Sequence, residues 1–240
     1  MKHYLTTSII VTSFLLVSKF DGFAQGFVNL NFESTTLASN GTPSTVATTV
    51  GLPGWSASIG GVSQSTILYN NGTLGNSAIA IQGYNVFSPS IAGNFSAALT
   101  AGATGNASIS QTGLIPANSL SLLFESYSSG SGLPTLSVTI NGQNISISPL
   151  LITANYTLYG GDISAFSGQT ANLAFTAVSN YPQGFGYYVL DEISFSTNPV
   201  PEPSEYALLA LGGILFGIRY WRKNSVKRGA AEIVPVLIKD

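Results

Sequence analysis

The sequence predicts an all-β protein built around a single β-sandwich domain at residues 26–197. Short segments of alternating apolar and polar residues recur there, turn signals separate them, and no helical periodicity of useful length occurs before Pro203. Short alternating strands with turns between them are typical of an antiparallel sandwich. The segment is long enough for one hydrophobic core and too short for two.

The first 24 residues are predicted to be a secretory signal peptide. Lys2 gives a positive start, YLTTSIIVTSFLLVS gives an apolar middle, and Gly22 and Ala24 give the small residues of a cleavage site. These parts in this order are typical of a leader that is removed after export. We expect cleavage after Ala24, with an uncleaved signal anchor as the alternative because Lys19 and Asp21 follow the apolar run.

Period-2 alternation identifies the candidate strands of the sandwich. LSVTI places Leu136, Val138 and Ile140 on one face, and ANLAFTAV, residues 171–178, repeats the pattern. Such alternation predicts strands that have one face in the core. The other candidate strands are FVNLNF, STILY, SAIAI, NASIS, SLSLLF and NISIS. The predicted turns are Asn71-Gly72, Asn141-Gly142 and Gly160-Gly161-Asp162.

Ionisable residues are distributed very unevenly along the chain. Every Lys and Arg lies at or before Lys19 or at or after Arg219, the single His is His3, and the chain has no Cys. The central segment therefore lacks the cations that bind phosphates, which excludes nucleic acid as a partner. It also lacks the residues of a Ser-His-Asp or Cys-His nucleophile and of the usual zinc site. Because it has no disulfides, its stability must come from a packed core.

The chemistry left to the central segment is a carboxylate pair of the kind that hydrolyses glycosides. Its acidic residues are Glu33, Glu125, Asp162, Asp191 and Glu192. A glycosidase needs one acid with a raised pKa and a second carboxylate about 5–9.5 Å away, and the candidates are Glu125 with Asp162 or Glu192. None of these residues lies in a recognisable catalytic motif, so we expect the protein not to be an enzyme.

Two short patterns at the ends of the central segment resemble a known fold. FVNLNFE followed by LPGWS is similar to the opening of galactose-binding-like jelly-roll modules, and YYVLDEISF is similar to their closing strand. The resemblance implies a jelly roll of the kind found in many carbohydrate-binding domains. Trp55, in LPGWS, is expected to pack under the N-terminal turn, with contact to a sugar ligand as the alternative.

The C-terminal region combines Pro-Glu-Pro, a short apolar helix and a basic cluster. The apolar core at residues 206–218 is shorter than the about 20 residues of a resident membrane helix. The pattern resembles the PEP-CTERM sorting signal of Gram-negative bacteria, which a membrane transpeptidase called exosortase recognises and cleaves near Pro-Glu-Pro. The matching residues are Pro201, Glu202 and Pro203, the membrane helix at 206–221, and Arg219, Arg222 and Lys223.

This resemblance sets the expected topology of the whole chain. Lys2 and the basic cluster favour the cytoplasmic side, which leaves residues 26–198 outside. Residues 200–223 are then a sorting signal that enters the membrane before it is cut. Residues 224–240 form a cytoplasmic tail, which is longer than in typical members and is either harmless or slows processing.

The function expected from these features is non-catalytic. Members of the PEP-CTERM family are associated with bacteria that produce exopolysaccharide, so the resemblance implies a protein of the cell surface, extracellular matrix or biofilm. The implied partners are exosortase, the membrane and a polysaccharide. Glycan binding is one expectation for the exported domain, and a purely structural matrix component or adhesin is the other.

A structural calcium ion is one expectation for Asp191. Strict alternation along YYVLDEISF puts Asp191 on the same face as Val189, Ile193 and Phe195. A buried carboxylate needs compensation, and the central segment has no cation to provide it. Oxygen ligands favour Ca²⁺, and jelly-roll modules of the resembled kind often hold a calcium ion between the first and last strands, which here implicates Glu33 and Asp191. The alternative is a carboxylate that is bonded to backbone N–H groups.

Overall fold

The computed structural model describes residues 26–73, 75–83 and 90–200. The predicted signal peptide, sorting signal, membrane helix and tail lie outside these ranges, apart from the first residue of the sorting segment. The described strands are β1 Ser44–Ala47, β2 Ser56–Ile59, β3 Val62–Ser63, β4 Thr66–Tyr69, β5 Ala78–Gly83, β6 Phe95–Ala101, β7 Ala107–Leu114, β8 Ser121–Gly130, β9 Thr135–Ile140, β10 Gln143–Asn144, β11 Ile147–Ile152, β12 Thr157–Asp162, β13 Thr170–Val178 and β14 Gly186–Ser196. Two single helical turns, α1 Thr48–Gly51 and a 3-10 turn Ser164–Phe166, complete the described part. No helix in these ranges is long and apolar enough to cross a membrane.

Two sheets form the sandwich that the sequence predicts. The larger has the order β1-β4-β5-β6-β14-β8-β12-β11, and the smaller has the order β10-β9-β13-β7-β2-β3. All pairings between these strands are antiparallel except that of β4 with β5. The inner faces pack on each other through one large core, in which Phe32, Phe124 and Phe175 are fully buried. The all-β fold class is therefore confirmed.

Most of the predicted strands and one predicted hairpin are confirmed. Val138 and Ile140 of β9 face the core together with Phe175 of β13. Asn141 and Gly142 connect β9 to β10 with φ angles of 50° and 76°. Two consecutive left-handed residues are what a type I′ hairpin turn requires, and Asn-Gly is its preferred sequence.

The predicted strand FVNLNF is wrong, because this segment is irregular apart from one bridge at Gly26. Asn29 and Phe32 have φ angles of 52° and 58°, which belong to the left-handed region and not to a strand. The Asn29 side chain accepts a hydrogen bond from the Ser34 N–H at 2.9 Å and donates one to the Pro53 carbonyl at 3.0 Å. Such side-chain bonds to the backbone compete with a sheet ladder, and they fold the segment over the core.

Two further local predictions are wrong. NISIS is divided between β10 in one sheet and β11 in the other. Gly160 and Gly161 lie inside β12 and do not form a turn. A Cβ at Gly160 would lie 2.7 Å from a Leu150 methyl group, and one at Gly161 would lie 2.6 Å from an Ile145 methyl group. These glycines therefore permit close packing within the strand.

A β-bulge in β14 changes which face its side chains occupy. Glu192 has a φ of 46°, and the register with β8 shifts between Asp191 and Ser194. Before the bulge, Val189 packs on the outer face of the large sheet, whereas Ile193 beyond the bulge packs in the inner core. Asp191 therefore shares a face with Val189 but not with Ile193 or Phe195, and the prediction of one common face is wrong in that respect. An extra residue in one strand reverses the alternation beyond it.

One outer edge of the large sheet is strand β11. Pro149 lies within it, and its register with β12 shifts between Pro149 and Leu151. Leu151 and Ile152 near its end are 52% and 75% exposed.

Candidate functional site

The outer face of the large sheet carries two adjacent rows of side chains on β5, β6 and β14. The strand registers align Ala80 of β5, Ala98 of β6 and Val189 of β14 in one row, and these three residues form a small apolar cluster. In the neighbouring row Gln82 lies opposite Ser96, and Ser96 is hydrogen-bonded to Asp191. The face is thus apolar in its middle and polar along one side.

A cleft with a volume of about 280 Å³ opens on this face. Its floor is made of small residues, because β5 and β6 present alanines where larger side chains would fill the space. Ligand sites in proteins are concave and mainly apolar and have a few placed polar groups. The lining residues are Asn71, Gly72, Thr73, Ala78, Ala80, Gln82, Ala98, Thr100, Gly130, Phe185, Gly186 and Tyr187.

Gln82 is the buried amide of this cleft and is only 3% exposed. Its Nε2 donates to the Asn71 carbonyl at 2.7 Å. A carbonyl can only accept, so this bond fixes the orientation of the amide. Oε1 is then the atom without a partner, and it is one of two such buried side-chain atoms in the described part of the chain; the other belongs to Asn180.

Aromatic rings form one wall of the cleft. Phe185 is 37% exposed, and Tyr187 packs edge-on against Tyr127 with ring centroids 6.4 Å apart. Neither this wall nor Gln82 is among the candidate residues predicted from the sequence. The available signal was SAIAIQ, in which isoleucines alternate with small residues and end on an amide.

A second, shallow groove of about 240 Å³ lies beside β8 and the β11–β12 hairpin. Three tyrosines, Tyr127, Tyr156 and Tyr159, line it together with hydroxyl and amide side chains. Tyr127 is 38% exposed. Rings with polar tips beside hydroxyl groups match the mixed surface of a sugar. We call this site the tyrosine groove.

Asp191 is fully buried and is bonded only to donors among the described residues. Its Oδ2 accepts from the Ser96 hydroxyl at 2.6 Å and the Ala92 N–H at 3.1 Å, and its Oδ1 accepts from the Glu192 N–H at 2.8 Å. Burial raises the pKa of Asp191 from 3.8 to about 7, although these three hydrogen bonds oppose the rise. The nearby negative charge of Glu192 adds to it.

Glu33 is hydrogen-bonded to the segment that follows Ala92 and leads into β6. Its Oε1 accepts from the N–H groups of Asn94 and Phe95 at 2.7 and 2.8 Å, and its Oε2 accepts from the Asn94 side-chain amide at 3.2 Å. The two carboxylates therefore anchor residues 92–96, which lead into β6.

The contacts of Glu33 and Asp191 do not match those of calcium ligands. Calcium takes six to eight oxygen ligands, whereas each carboxylate here receives three N–H or O–H donors. Within the described ranges no three or more His, Cys, Asp or Glu side chains come together as a metal site. The geometry agrees with the alternative of a carboxylate bonded to backbone N–H groups, and calcium binding stays a prediction.

Of the two partners predicted for Glu125 in a glycosidase pair, the structure separates Asp162 from it and brings Glu192 near it. Asp162 lies opposite Ser121, four residues along β8 from Glu125, which separates their backbones by about 13 Å at the rise of a strand. Burial raises the pKa of Glu125 above its usual value, a hydrogen bond from Tyr156 opposes the rise, and the charge of the nearer Glu192 adds to it. Neither Glu125 nor Glu192 lines either of the sites above.

Trp55 is a core residue, as the first of its two interpretations predicts. Its ring is 4% exposed and lies 5.7 Å from that of Phe32 and 6.3 Å from that of Phe175. Its Nε1 donates to the Asn29 carbonyl at 3.0 Å.

Comparison with known proteins gives only distant structural similarity. No protein-family model and no curated protein matches the chain. Similar solved structures include a cyclase from Fischerella sp. TAU in complex with 4-(1H-indol-3-yl)butan-2-one, at 14% identity and a TM-score of 0.46, covering 75% of this chain and 99% of that one. The apo form of a cyclase from Fischerella sp. has 15% identity and a TM-score of 0.43, covering 75% and 98%. The secreted serine protease VesC from Vibrio cholerae has 13% identity and a TM-score of 0.31, covering 67% and 44%.

Proposed function

We propose that this chain is a non-catalytic protein that is exported, sorted through a PEP-CTERM signal and displayed at the cell surface or in the extracellular matrix, where it binds polysaccharide. The tyrosine groove carries the binding part of this proposal. It places aromatic rings beside the hydroxyl and amide groups of Ser126, Ser128 and Asn155. Its residues bear no positive charge, which suits a neutral glycan.

The absence of catalysis is supported by how the carboxylates are used. Asp191 is fully buried and bonded to three donors, and Glu33 is bonded to the turn before β6. Glu125 accepts a hydrogen bond from Tyr156 at the side of the tyrosine groove. These acids are bonded within the protein, and no acidic residue is among those that line the tyrosine groove.

A glycan array with the full chain in lipid nanodiscs tests the binding part. We expect Tyr156→Ala to weaken binding by up to about tenfold, because stacking on one ring contributes about 0.5–1.5 kcal/mol. Tyr181→Ala is the matched control, since Tyr181 is 58% exposed and does not line the groove. Binding to no glycan, including the polysaccharide of the producing cell, favours a structural matrix component or adhesin instead.

Mass measurement of the envelope-associated protein tests the sorting part. The proposal expects a surface form that begins near Gln25 and lacks residues 206–240. Alanine substitution of Pro201, Glu202 and Pro203 together should retain the uncleaved chain in the membrane. An intact C-terminus as the sole surface species contradicts sorting by cleavage and leaves the glycan proposal untouched.

A further inference from the structure

We propose that the apolar cleft on the outer face of the large sheet is a second binding site, separate from the tyrosine groove. Its ligand is a small, uncharged and mainly apolar ring compound that carries one hydroxyl or N–H group, which donates to Gln82 Oε1. Three features of the cleft support this ligand: the shape of its floor, the unpartnered amide oxygen of Gln82 and the lack of charged residues in its lining.

The floor determines the shape of the ligand. Ala80 and Ala98 are 4% and 5% exposed and lie side by side on neighbouring strands. Their methyl groups leave a shallow apolar recess, which Phe185 and Tyr187 border on one side. A flat ring fits between an alanine floor and an aromatic wall, because rings prefer edge-on or offset contact with aromatic neighbours.

The size of the cleft limits the ligand to a small molecule. At about 280 Å³ it lies near the lower limit of about 300–1,000 Å³ for ligand sites. A ligand of one or two rings fills such a volume, whereas an extended polymer needs a groove that continues across the sheet.

Gln82 determines the polar group of the ligand. A buried carbonyl oxygen without a partner is unfavourable, and a donor that reaches it removes that penalty. Two neighbouring polar groups already bond within the protein: the Asn71 carbonyl accepts from Gln82, and the Thr73 hydroxyl donates to the Asn76 carbonyl. Gln82 Oε1 is the buried acceptor of the cleft that has no partner, and a donor on the ligand matches it.

The apolar floor argues against a highly hydroxylated sugar in this cleft. Each hydroxyl group that leaves water needs a new partner, and each one without a partner weakens binding. The methyl groups of Ala80 and Ala98 offer none. Charged ligands are also disfavoured, because no charged residue lines the cleft.

Phenol and methoxybenzene are the probes that test this proposal. They have similar rings, but methoxybenzene lacks the donor. Isothermal titration uses the full chain in lipid nanodiscs, and empty nanodiscs are titrated in parallel to subtract partitioning into the lipid. We expect phenol to bind about tenfold more tightly than methoxybenzene, since one hydrogen bond to a buried acceptor has about this effect.

Substitution of Gln82 tests whether the preference for phenol over methoxybenzene depends on Oε1 of this residue. Gln82→Met keeps the length of the side chain and removes its acceptor, so the two probes should bind with equal affinity. Gln111→Met is the matched control: Gln111, on β7 of the smaller sheet, is also buried, but both ends of its amide bond the backbone of Val28 in the irregular N-terminal segment. This control should keep the tenfold preference, and thermal unfolding of both variants verifies that they fold.

Three results overturn the proposal: neither probe binds at its highest soluble concentration, both bind wild type equally, or the preference for phenol persists in Gln82→Met. The first two need no variant, so they hold even if Gln82→Met fails to fold. A 6-deoxyhexose and its parent hexose form a further pair of probes. Binding of either sugar, lost in Gln82→Met, contradicts the proposal of a mainly apolar ligand with one donor, because each sugar carries several hydroxyl groups. Failure here leaves the tyrosine groove and its glycan array result unaffected.

Discussion

The buried carboxylate of Asp191 should make the stability of the sandwich fall as the pH rises from about 4 to 7. Asp191 is 0% exposed, and burial raises its pKa from 3.8 to about 7. The folded state therefore holds this proton more tightly than the unfolded state does. Stability from the protonated form is fully present below pH 3.8 and is lost as the pH rises through about 7.

The size of this effect follows from the two pKa values. They differ by about 3 pH units, and each unit corresponds to about 1.4 kcal/mol, so the free energy of unfolding should decrease by about 4 kcal/mol across the window. Asp191→Asn has nearly the same shape and no charge at any pH. It loses one of the three hydrogen bonds, because its amide nitrogen cannot accept, at a cost of about 1 kcal/mol. The variant should therefore be less stable than wild type at pH 4 and more stable at pH 8.

Urea denaturation followed by tryptophan fluorescence measures both curves. The chain has two tryptophans, so Trp221→Phe leaves Trp55 in the core as the single reporter. Asp162→Asn is the matched control for the loss of one negative charge, since Asp162 is exposed and accepts a hydrogen bond from the Ser164 N–H. Parallel curves for wild type and Asp191→Asn, with no crossing between pH 4 and 8, would refute the reasoning.

Three further predictions concern packing and metal binding. Trp55→Ala should lower the free energy of unfolding by about 3–5 kcal/mol, because it leaves a cavity between Phe32 and Phe175; a loss under 1 kcal/mol in urea denaturation contradicts the core assignment. Gly83→Ala should lower the free energy of unfolding by about 1–3 kcal/mol through overpacking, because a Cβ there would lie 2.0 Å from the Ser39 carbonyl oxygen. Gly142→Ala is the control that measures backbone strain alone, because a Cβ there meets open space but φ is 76°. The hydrogen bonds to Glu33 and Asp191 predict that calcium leaves the melting temperature of the chelated protein unchanged; a rise that Asp191→Asn abolishes would establish the calcium site instead.

The core of the sandwich could be predicted from the sequence because its strands alternate without interruption. Val138, Ile140 and Phe175 each follow the period of two that a half-buried strand imposes. The prediction failed where a single backbone angle decides the outcome. YYVLDEISF continues to alternate in sequence, but the left-handed Glu192 inserts one residue and reverses the faces beyond it.

The candidate sites could be predicted only in part. Composition alone predicts that Asp191 has no cationic partner, because the central segment contains no Lys, Arg or His. The structure adds the hydrogen-bond donors that Asp191 has instead, among them the Ser96 hydroxyl and the Ala92 N–H. The cleft depends on distant segments: Gln82 is bonded through Asn71, eleven positions earlier, and faces a wall supplied by Phe185. A register between strands brings these residues together, and no local pattern encodes it.

Strand β11 is an outer sheet edge in a domain that lacks lysine and arginine. Its outer side offers backbone donors and acceptors beside two exposed apolar side chains, which is the arrangement that recruits a further strand. Many proteins place lysine at such an edge, but residues 26–197 contain none. Here Pro149 withholds one N–H and the shifted register distorts the edge. Resistance of this edge to the addition of a further strand then depends on the covalent shape of a proline ring, which neither salt nor acid changes.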